Sequence, residues 1–407
     1  MKHKGFWRNG MKRVLAFMLL FVFAFAFIMP VFAETEQNNE AEAYKLNSID
    51  LDPDCESALL MEAETGTVLY AYNESHSASP ASVTKVMTLL LVMEAIEDGA
   101  LALDDEISIS ENASSMGGSQ VFLKEGERMS AEDLIKCTVI SSANDAAVAL
   151  AERVAGSVEA FVGRMNERAA ELGMKNTHFD NPTGLDDTTD DNYTSAMDIA
   201  IMSRELIRHE LITGYSSLWQ DSIRNGEFTL TNTNRLVRYY DGCNGLKTGS
   251  TDKAGFCISA AAKRDGMQLI AVVKGAKTRD GRNEIARRLL DLGFANYAVY
   301  SEPETEVERV PVYGGTVDSA TVYSRPFSSI VNKSDVPKIS KVYNIPDHIT
   351  APFKCTDALG DVGYEIGGKT IGKSELFIIE SIDKIRVPGL FLRIVSSAVL
   401  CDAKNGE

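Results

Sequence analysis

From Ser82 to Glu97 the chain carries Val83, Val86, Met87, Leu89, Leu90, Leu91, Met93 and Ile96, which spread nearly all round a helix. A helix at a protein surface keeps a polar stripe, and this one keeps almost none. It therefore has to sit in the middle of a domain, covered on every side. A chain of 407 residues, 44% of them hydrophobic, has the material for that cover, with room for two or three domains.

The flanking sequence supplies candidates for it. Ala58 to Ala63 and Val68 to Tyr72 are strand-like runs joined by Glu64-Thr65-Gly66, a hairpin pattern. Further helices are expected over Ser130 to Ile140, Asn144 to Val154 and Val158 to Leu172, the first opening on a capping-box-like Ser130-Ala131-Glu132-Asp133. From Leu246 the pattern turns to strands. Gly255 to Ala262 and Gln268 to Val273 suggest an antiparallel pair turning at Lys263 to Gly266, and a helix from Gly281 to Phe294 closes the unit near Tyr300. Strands at both ends with helices between predict an α/β (α+β) domain over 55–300, an antiparallel sheet with a helical cluster against it. Residues 301–385 differ: short β-type runs at Glu306 to Val312, Ile339 to Tyr343, Lys369 to Ile371 and Leu376 to Glu380, cut by Gly and Pro, predict a small all-β domain.

The two ends stand apart. Lys2, Lys4, Arg8, Lys12 and Arg13 precede an apolar Val14 to Ile28 and a small-residue Val31-Phe32-Ala33, with no acid before Glu34. Residues 1–33 thus read as a secretory signal peptide, with an uncleaved N-terminal anchor as the alternative. Residues 34–54 are acid-rich and suit a flexible leader. In the 386–407 tail, Leu390, Phe391, Ile394, Val395, Ala398 and Val399 would share a helix face, lying on a membrane surface or packed on the β domain. Without the five N-terminal cations the formal charge moves from −17 to about −22, which disfavours nucleic acid as a partner. The six cysteines show no C-x-x-C pair, and Cys137 and Cys257 lie in apolar runs as small hydrophobes. Five histidines without an H-E-x-x-H pair imply no metal site, and no cofactor is expected.

Three short strings carry chemistry: Ser82-Val83-Thr84-Lys85, Ser142-Ala143-Asn144 and Lys247-Thr248-Gly249. The first spacing alone is cheap, since Ser250 to Lys253 and Ser381 to Lys384 repeat it. Ser82 differs by opening the apolar helix, one turn before Lys85 on the same face. A serine hydroxyl needs an adjacent base. Lys85 can be one if burial or a nearby cation such as Lys247 lowers its pKa. Ser142 and Asn144 also fit a plain helix cap, and Ser110-Glu111-Asn112 has the same spacing. Lys247-Thr248-Gly249 is unique in the chain, and its glycine would let a second backbone approach the strand.

Order and separation of the strings resemble the active-site serine penicillin-binding proteins and serine β-lactamases. Ser79-Pro80-Ala81-Ser82, Ser141-Ser142-Ala143-Asn144-Asp145-Ala146, Thr177-His178-Phe179, Gly184-Leu185 and Lys247 to Gly255 extend the likeness. The branch they resemble is the D-Ala-D-Ala carboxypeptidases among low-molecular-mass penicillin-binding proteins. Gly360 to Ile366 with Gly368 to Ile371 is similar to that branch's following β domain, and Ser114 to Ser119 resembles a variant from spore-forming Gram-positive bacteria. The resemblance implies a β-lactamase/transpeptidase-like catalytic domain and an exported hydrolase acting on peptidoglycan stem peptides that end in D-Ala-D-Ala, with β-lactams as covalent inhibitors. It implies Ser82 as nucleophile, Lys85 as base and Ser142 as proton relay to the leaving amine. Asn144 would hold Lys85 and substrate, Lys247, Thr248 and Gly249 would form the carboxylate-binding strand, and the N–H groups of Ser82 and Ser250 the oxyanion hole.

Departures are small. Cys243-Asn244-Gly245 stands where Asp-Gly is common before the strand, and Arg235 matches a carboxylate-binding arginine only loosely, a surface arginine being the alternative. His178 belongs to a structural string. A β-lactamase reading lacks its glutamate, because Asn181 to Asp187 does not supply the usual arrangement. A non-catalytic wall-binding protein is the remaining alternative, and it sits poorly with a complete set of catalytic groups.

Overall fold

The computed structural model describes Lys45, Ser48 and residues 50–185 and 192–391. The expected signal peptide, most of the leader and the tail positions Ile394, Val395, Ala398 and Val399 lie outside the described residues. No helix among the described residues is long and apolar enough to cross a membrane.

Strands β1 (Ser57–Glu62) and β2 (Val68–Tyr72) form the expected hairpin. Two short pairs follow within the helical region, β3 (Glu106–Ser108) with β4 (Arg128–Ser130) and β5 (Gln220–Ile223) with β6 (Phe228–Thr231). β7 (Cys243–Thr251), β8 (Gly255–Arg264) and β9 (Met267–Ala276) then complete an antiparallel sheet in the order β2-β1-β9-β8-β7. All six residues of β1 are buried, because both sheet faces are covered. Alternation sorts them: Ala58 and Leu60 join Leu289, Leu290 and Phe294 of the Arg279–Asn296 helix, whereas Leu59 and Met61 face the helical cluster.

At the centre of that cluster lies the Lys85–Glu97 helix, buried continuously from Lys85 to Met93 as its sequence demands. Its start differs from expectation. Ala81–Thr84 form a 3₁₀ turn, and the α-helix begins at Lys85. Around it pack Ala131–Ile140, Asn144–Ala155, Val158–Glu171 and the unanticipated Ala196–Leu206. Ser130, Ser157, Ser195 and Thr278 each accept a bond from the backbone N–H three residues on, which fixes where their helices start. The Thr278 cap moves the start of the Arg279–Asn296 helix two residues ahead of the expected Gly281. Packed chain also begins before Cys55: Leu51 is buried, and its carbonyl accepts from the Tyr70 hydroxyl at 2.8 Å.

The β domain starts inside β10 (Tyr297–Glu302). Tyr297 belongs to the core under the sheet, while Tyr300 packs into a third core around Val310, Val322, Val362 and Leu376. β11 (Thr305–Tyr313), β12 (Ser319–Ser324), β13 (Phe327–Asn332), β14 (Ile339–Asn344), β15 (Ile349–Thr350), β16 (Gly360–Ile366) and β17 (Lys369–Phe377) follow. Six of them form a sheet ordered β14-β16-β17-β12-β11-β15, and β13 pairs with β10. The chain stays attached through Ile385, whose N–H donates to Gly314. Beyond it Val387, Leu390 and Phe391 are exposed.

Lys369 to Ile371 and the start of the second run, Leu376 and Phe377, prove to be one strand, β17. Its middle, Gly372 to Glu375, lacks apolar residues because a side chain of another strand lies there: a Cβ on Gly372 would come within 2.5 Å of the Phe327 ring, which stacks on Tyr364 at 3.9 Å. Gly372→Val is therefore expected to destabilise this domain by about 1–3 kcal/mol. A separate, lower melting transition would be seen in calorimetry, with the transition of the preceding domain little changed.

Candidate active site

Lys85 ends the 3₁₀ turn with its side chain fully buried. Its Nζ lies 3.0 Å from Ser82 Oγ, 2.6 Å from Asn144 Oδ1 and 2.8 Å from the Thr183 carbonyl oxygen. The Asn144 amide has a fixed orientation, since its Nδ2 donates to the Gly117 carbonyl at 2.8 Å. Asn144 and Thr183 can only accept from Lys85. A neutral amine has two N–H groups and one lone pair, so those two acceptors use both donors and leave the lone pair for the Ser82 hydroxyl. Burial first, and the Lys247 ammonium second, hold Lys85 well below the ordinary lysine range; Asp145 opposes them. Asp145 is itself occupied by the N–H groups of Val121, Leu123 and Ala146.

Backbone strain marks two positions beside this group. Ala81, fully buried, has φ +47°, and Ser142 has φ +62°, both in the left-handed region that costs a non-glycine residue on the order of 1 kcal/mol. Ser142 is not a cap. The Asn144–Ala155 helix is preceded by Ala143, without a side-chain cap bond, and Ser142 instead lines a cleft of about 470 Å³.

That cleft brings most of the expected residues together: Ser82, Ser142, Thr248, Gly249, Ser250 and Arg235 all line it, with Lys85 and Asn144 behind Ser82. Gly249 lines the cleft and also lies against the chain itself. A Cβ there would lie 2.8 Å from both Pro80 O and Ser82 N, so the backbone it admits is the serine turn itself. Gly184, at φ +75°, packs on the other side of the same turn, where a Cβ would overlap the Ala81 carbonyl. The turn is thus held between β7 and the Thr183 loop. His178 is exposed, paired through its backbone with Tyr193, and does not line the cleft.

Lys247 lies behind this lining. It is buried, does not line the cleft, and donates to the Thr248 carbonyl at 2.8 Å. Burial, then the Arg282 charge, lowers its pKa to about 7. Arg282 and Arg279 line the cleft with Arg235, and Thr233 Oγ1 bonds Thr248 Oγ1 at 2.8 Å. Sequence reasoning missed Thr183, Thr233, Arg279 and Arg282. For Arg282 a signal existed: it falls in helical phase with Ile285, Ala286 and Leu289, an arginine at a core position. Thr183 acts through its backbone, which no side-chain motif reports.

A family model described as D-alanyl-D-alanine carboxypeptidase matches residues 43–278. The chain belongs to that family. A second model, penicillin-binding protein 5, C-terminal domain, matches 294–384. D-alanyl-D-alanine carboxypeptidase DacF of Bacillus subtilis is 39% identical over 384 residues, covering 92% of this chain and 95% of its own. DacA of Escherichia coli is 32% identical over 345 residues, covering 81% and 84%. Penicillin-binding protein 5 of Haemophilus influenzae superposes with a TM-score of 0.72 at 30% identity, over 83% of this chain and all of that one. The ampicillin-bound penicillin-binding protein D2 of Listeria monocytogenes covers 61% of this chain, with a TM-score of 0.56 and 30% identity. The protein is accordingly a serine hydrolase of the D-Ala-D-Ala carboxypeptidase type, with a peptidase domain followed by an all-β domain.

Within this carboxypeptidase the buried charge on Lys247 opposes folding. An unfolded lysine titrates near 10.5 and the folded one near 7. The penalty is therefore full below pH 7 and fades as pH rises toward 10.5. Lys247→Met is expected to raise Tm, by more at pH 6 than at pH 9; melting curves at the two pH values measure the difference.

Proposed function

We propose that Ser82 is the nucleophile and Lys85 its general base in the removal of the terminal D-alanine from peptidoglycan pentapeptide stems. Ser82 Oγ attacks the carbonyl carbon of the penultimate D-Ala while its proton passes to the Lys85 lone pair. The N–H groups of Ser82 and Ser250 receive the oxyanion, each donor worth on the order of 2.7–4 kcal/mol. Collapse breaks the C–N bond as the proton held by Lys85 passes through the Ser142 hydroxyl to the departing amine of D-Ala, leaving Lys85 neutral again. An ester on Ser82 remains. Water attacks it, giving one proton to Lys85, which returns it to Ser82 Oγ as the ester bond breaks.

The terminal carboxylate is assigned to Thr248 with Arg235 and Arg282, and Gly249 to the close packing of β7 on the serine turn. Lys247 acts from behind them, as the charge that keeps Lys85 neutral. The Lys85 environment carries this reading: a desolvated amine with both donors engaged and Ser82 at 3.0 Å has one place left for a proton. Penicillins are proposed to acylate Ser82 by the same attack. A β-lactamase reading is less favoured, because the Asn181–Leu185 loop offers Lys85 a carbonyl, and no carboxylate among the described residues bonds to Lys85 or Ser82. Export through residues 1–33, action at the outer face of the cell and membrane-surface contact by the tail belong to the same proposal.

Ser82→Ala is expected to abolish both D-Ala release and labelling by a fluorescent penicillin; continued D-Ala release would overturn the nucleophile. The pH profile tests the base. Acylation requires neutral Lys85, so its rate should fall as pH drops through the depressed pKa. Lys247→Gln removes a cation that favours the neutral form, so the acid limb should move to higher pH in stopped-flow acylation.

A further inference from the structure

Among the described residues, one buried cation remains outside the chemistry described so far. Lys274 lies on β9, directly after the apolar run Leu269 to Val273, and is 1% exposed. Its Nζ donates to three backbone carbonyls: Ala78 at 3.1 Å, His76 at 3.4 Å and Thr194. An ammonium has three N–H groups, and here each has an acceptor. Burial lowers its pKa to about 8, against the opposing charges of Cys257 on β8, Glu56 beside β1 and Asp198 on the Ala196–Leu206 helix. A methionine would fill the same volume without that cost, so the fold alone does not call for a lysine.

The three carbonyls belong to two segments. Ala78 and Thr194 exchange both backbone bonds, at 3.2 and 3.0 Å, and Lys274 adds a further donor to each carbonyl. From Ala78 the chain runs through Ser79, whose Oγ accepts from Ala81 N, and reaches Ser82 in four residues. Thr194 binds the Thr177 hydroxyl at 2.7 Å, and two residues ahead of it Asn192 Oδ1 accepts from Asp180 N at 2.8 Å. Asp180 leads into Asn181–Gly184, which supplies the Lys85-binding carbonyl and the packing on Ala81. Lys274 thus ties together, at one atom, the lead-in to the nucleophile and the segment backing the loop that orients its base.

We propose that Lys274 is a positioning residue for acyl transfer, pinning these two segments so that the Ser82 hydroxyl and the Lys85 amine keep their 3.0 Å separation. The proposal rests on the reading of Ser82 and Lys85 as the reacting pair. Its weight comes from the sensitivity of such geometry: a misplacement of about 1 Å is worth up to 100-fold in rate.

The test compares wild type, Lys274→Met and Lys274→Arg in D-Ala release from a peptide ending in D-Ala-D-Ala. Lys274→Met keeps the paired Ala78 and Thr194 backbones and removes a desolvated charge, so its Tm should equal or exceed that of wild type. Its kcat should fall about 10- to 100-fold with KM within twofold, and Lys274→Arg, which retains donors, should recover part of the loss. A folded Lys274→Met with kcat within threefold of wild type overturns the proposal. So does a Lys274→Met that melts below the assay temperature, which would assign the residue to stability. Absence of D-Ala release by wild type would instead strike the reading of the active site, and so the two failures are distinguishable.

Discussion

The active site depends on one amine kept out of water. Lys85 can take a proton from Ser82 only if it is neutral, and a lysine is neutral near physiological pH only where its charge is badly solvated. The apolar helix it begins and the cluster round that helix create this condition. Asn144 and Thr183 then take both N–H groups and decide where the lone pair points. Lys247, buried as well, supplies the adverse field. The central helix, the cleft wall bearing Asn144, the Thr183 loop and β7 thus converge on the protonation state of a single nitrogen.

Lys85, Lys247, Lys274 and Arg282 are all at most 3% exposed, in a protein whose formal charge is −17. Among the described residues none of them is paired with a carboxylate by a direct bond, and each donates instead to backbone carbonyls or polar side chains. Carbonyl oxygens satisfy N–H groups without cancelling charge, so Arg282 still acts on Lys247 and Lys247 on Lys85. A salt bridge would have stabilised the fold at the expense of that field.

How far the sequence could be read follows from which groups act through side chains. Lys85 and Lys247 were legible because each stands in a string with fixed spacing. The buried helix was legible because nearly every position on it is apolar. Thr183 and the Ala81 turn act through backbone atoms, and residues 181–184 look like any loop. Gly249 was recognised as a point of close approach, yet the approaching chain comes from more than 160 residues earlier, which local pattern cannot supply. Gly372 misled in a related way, since the ring filling its space belongs to β13. Arg282 and Lys274 were hidden by type rather than by pattern: each occupies a core register where an apolar residue is expected.

The junction at β10 has a mechanical consequence. Tyr297 is locked in one core and Tyr300 in the next, and the strand between them is paired along its whole length with β13. The link is therefore a short beam rather than a tether. Torque on the β domain thus reaches Tyr297 and the core it shares with the Arg279–Asn296 helix, beneath the sheet that carries Lys247 and Lys274.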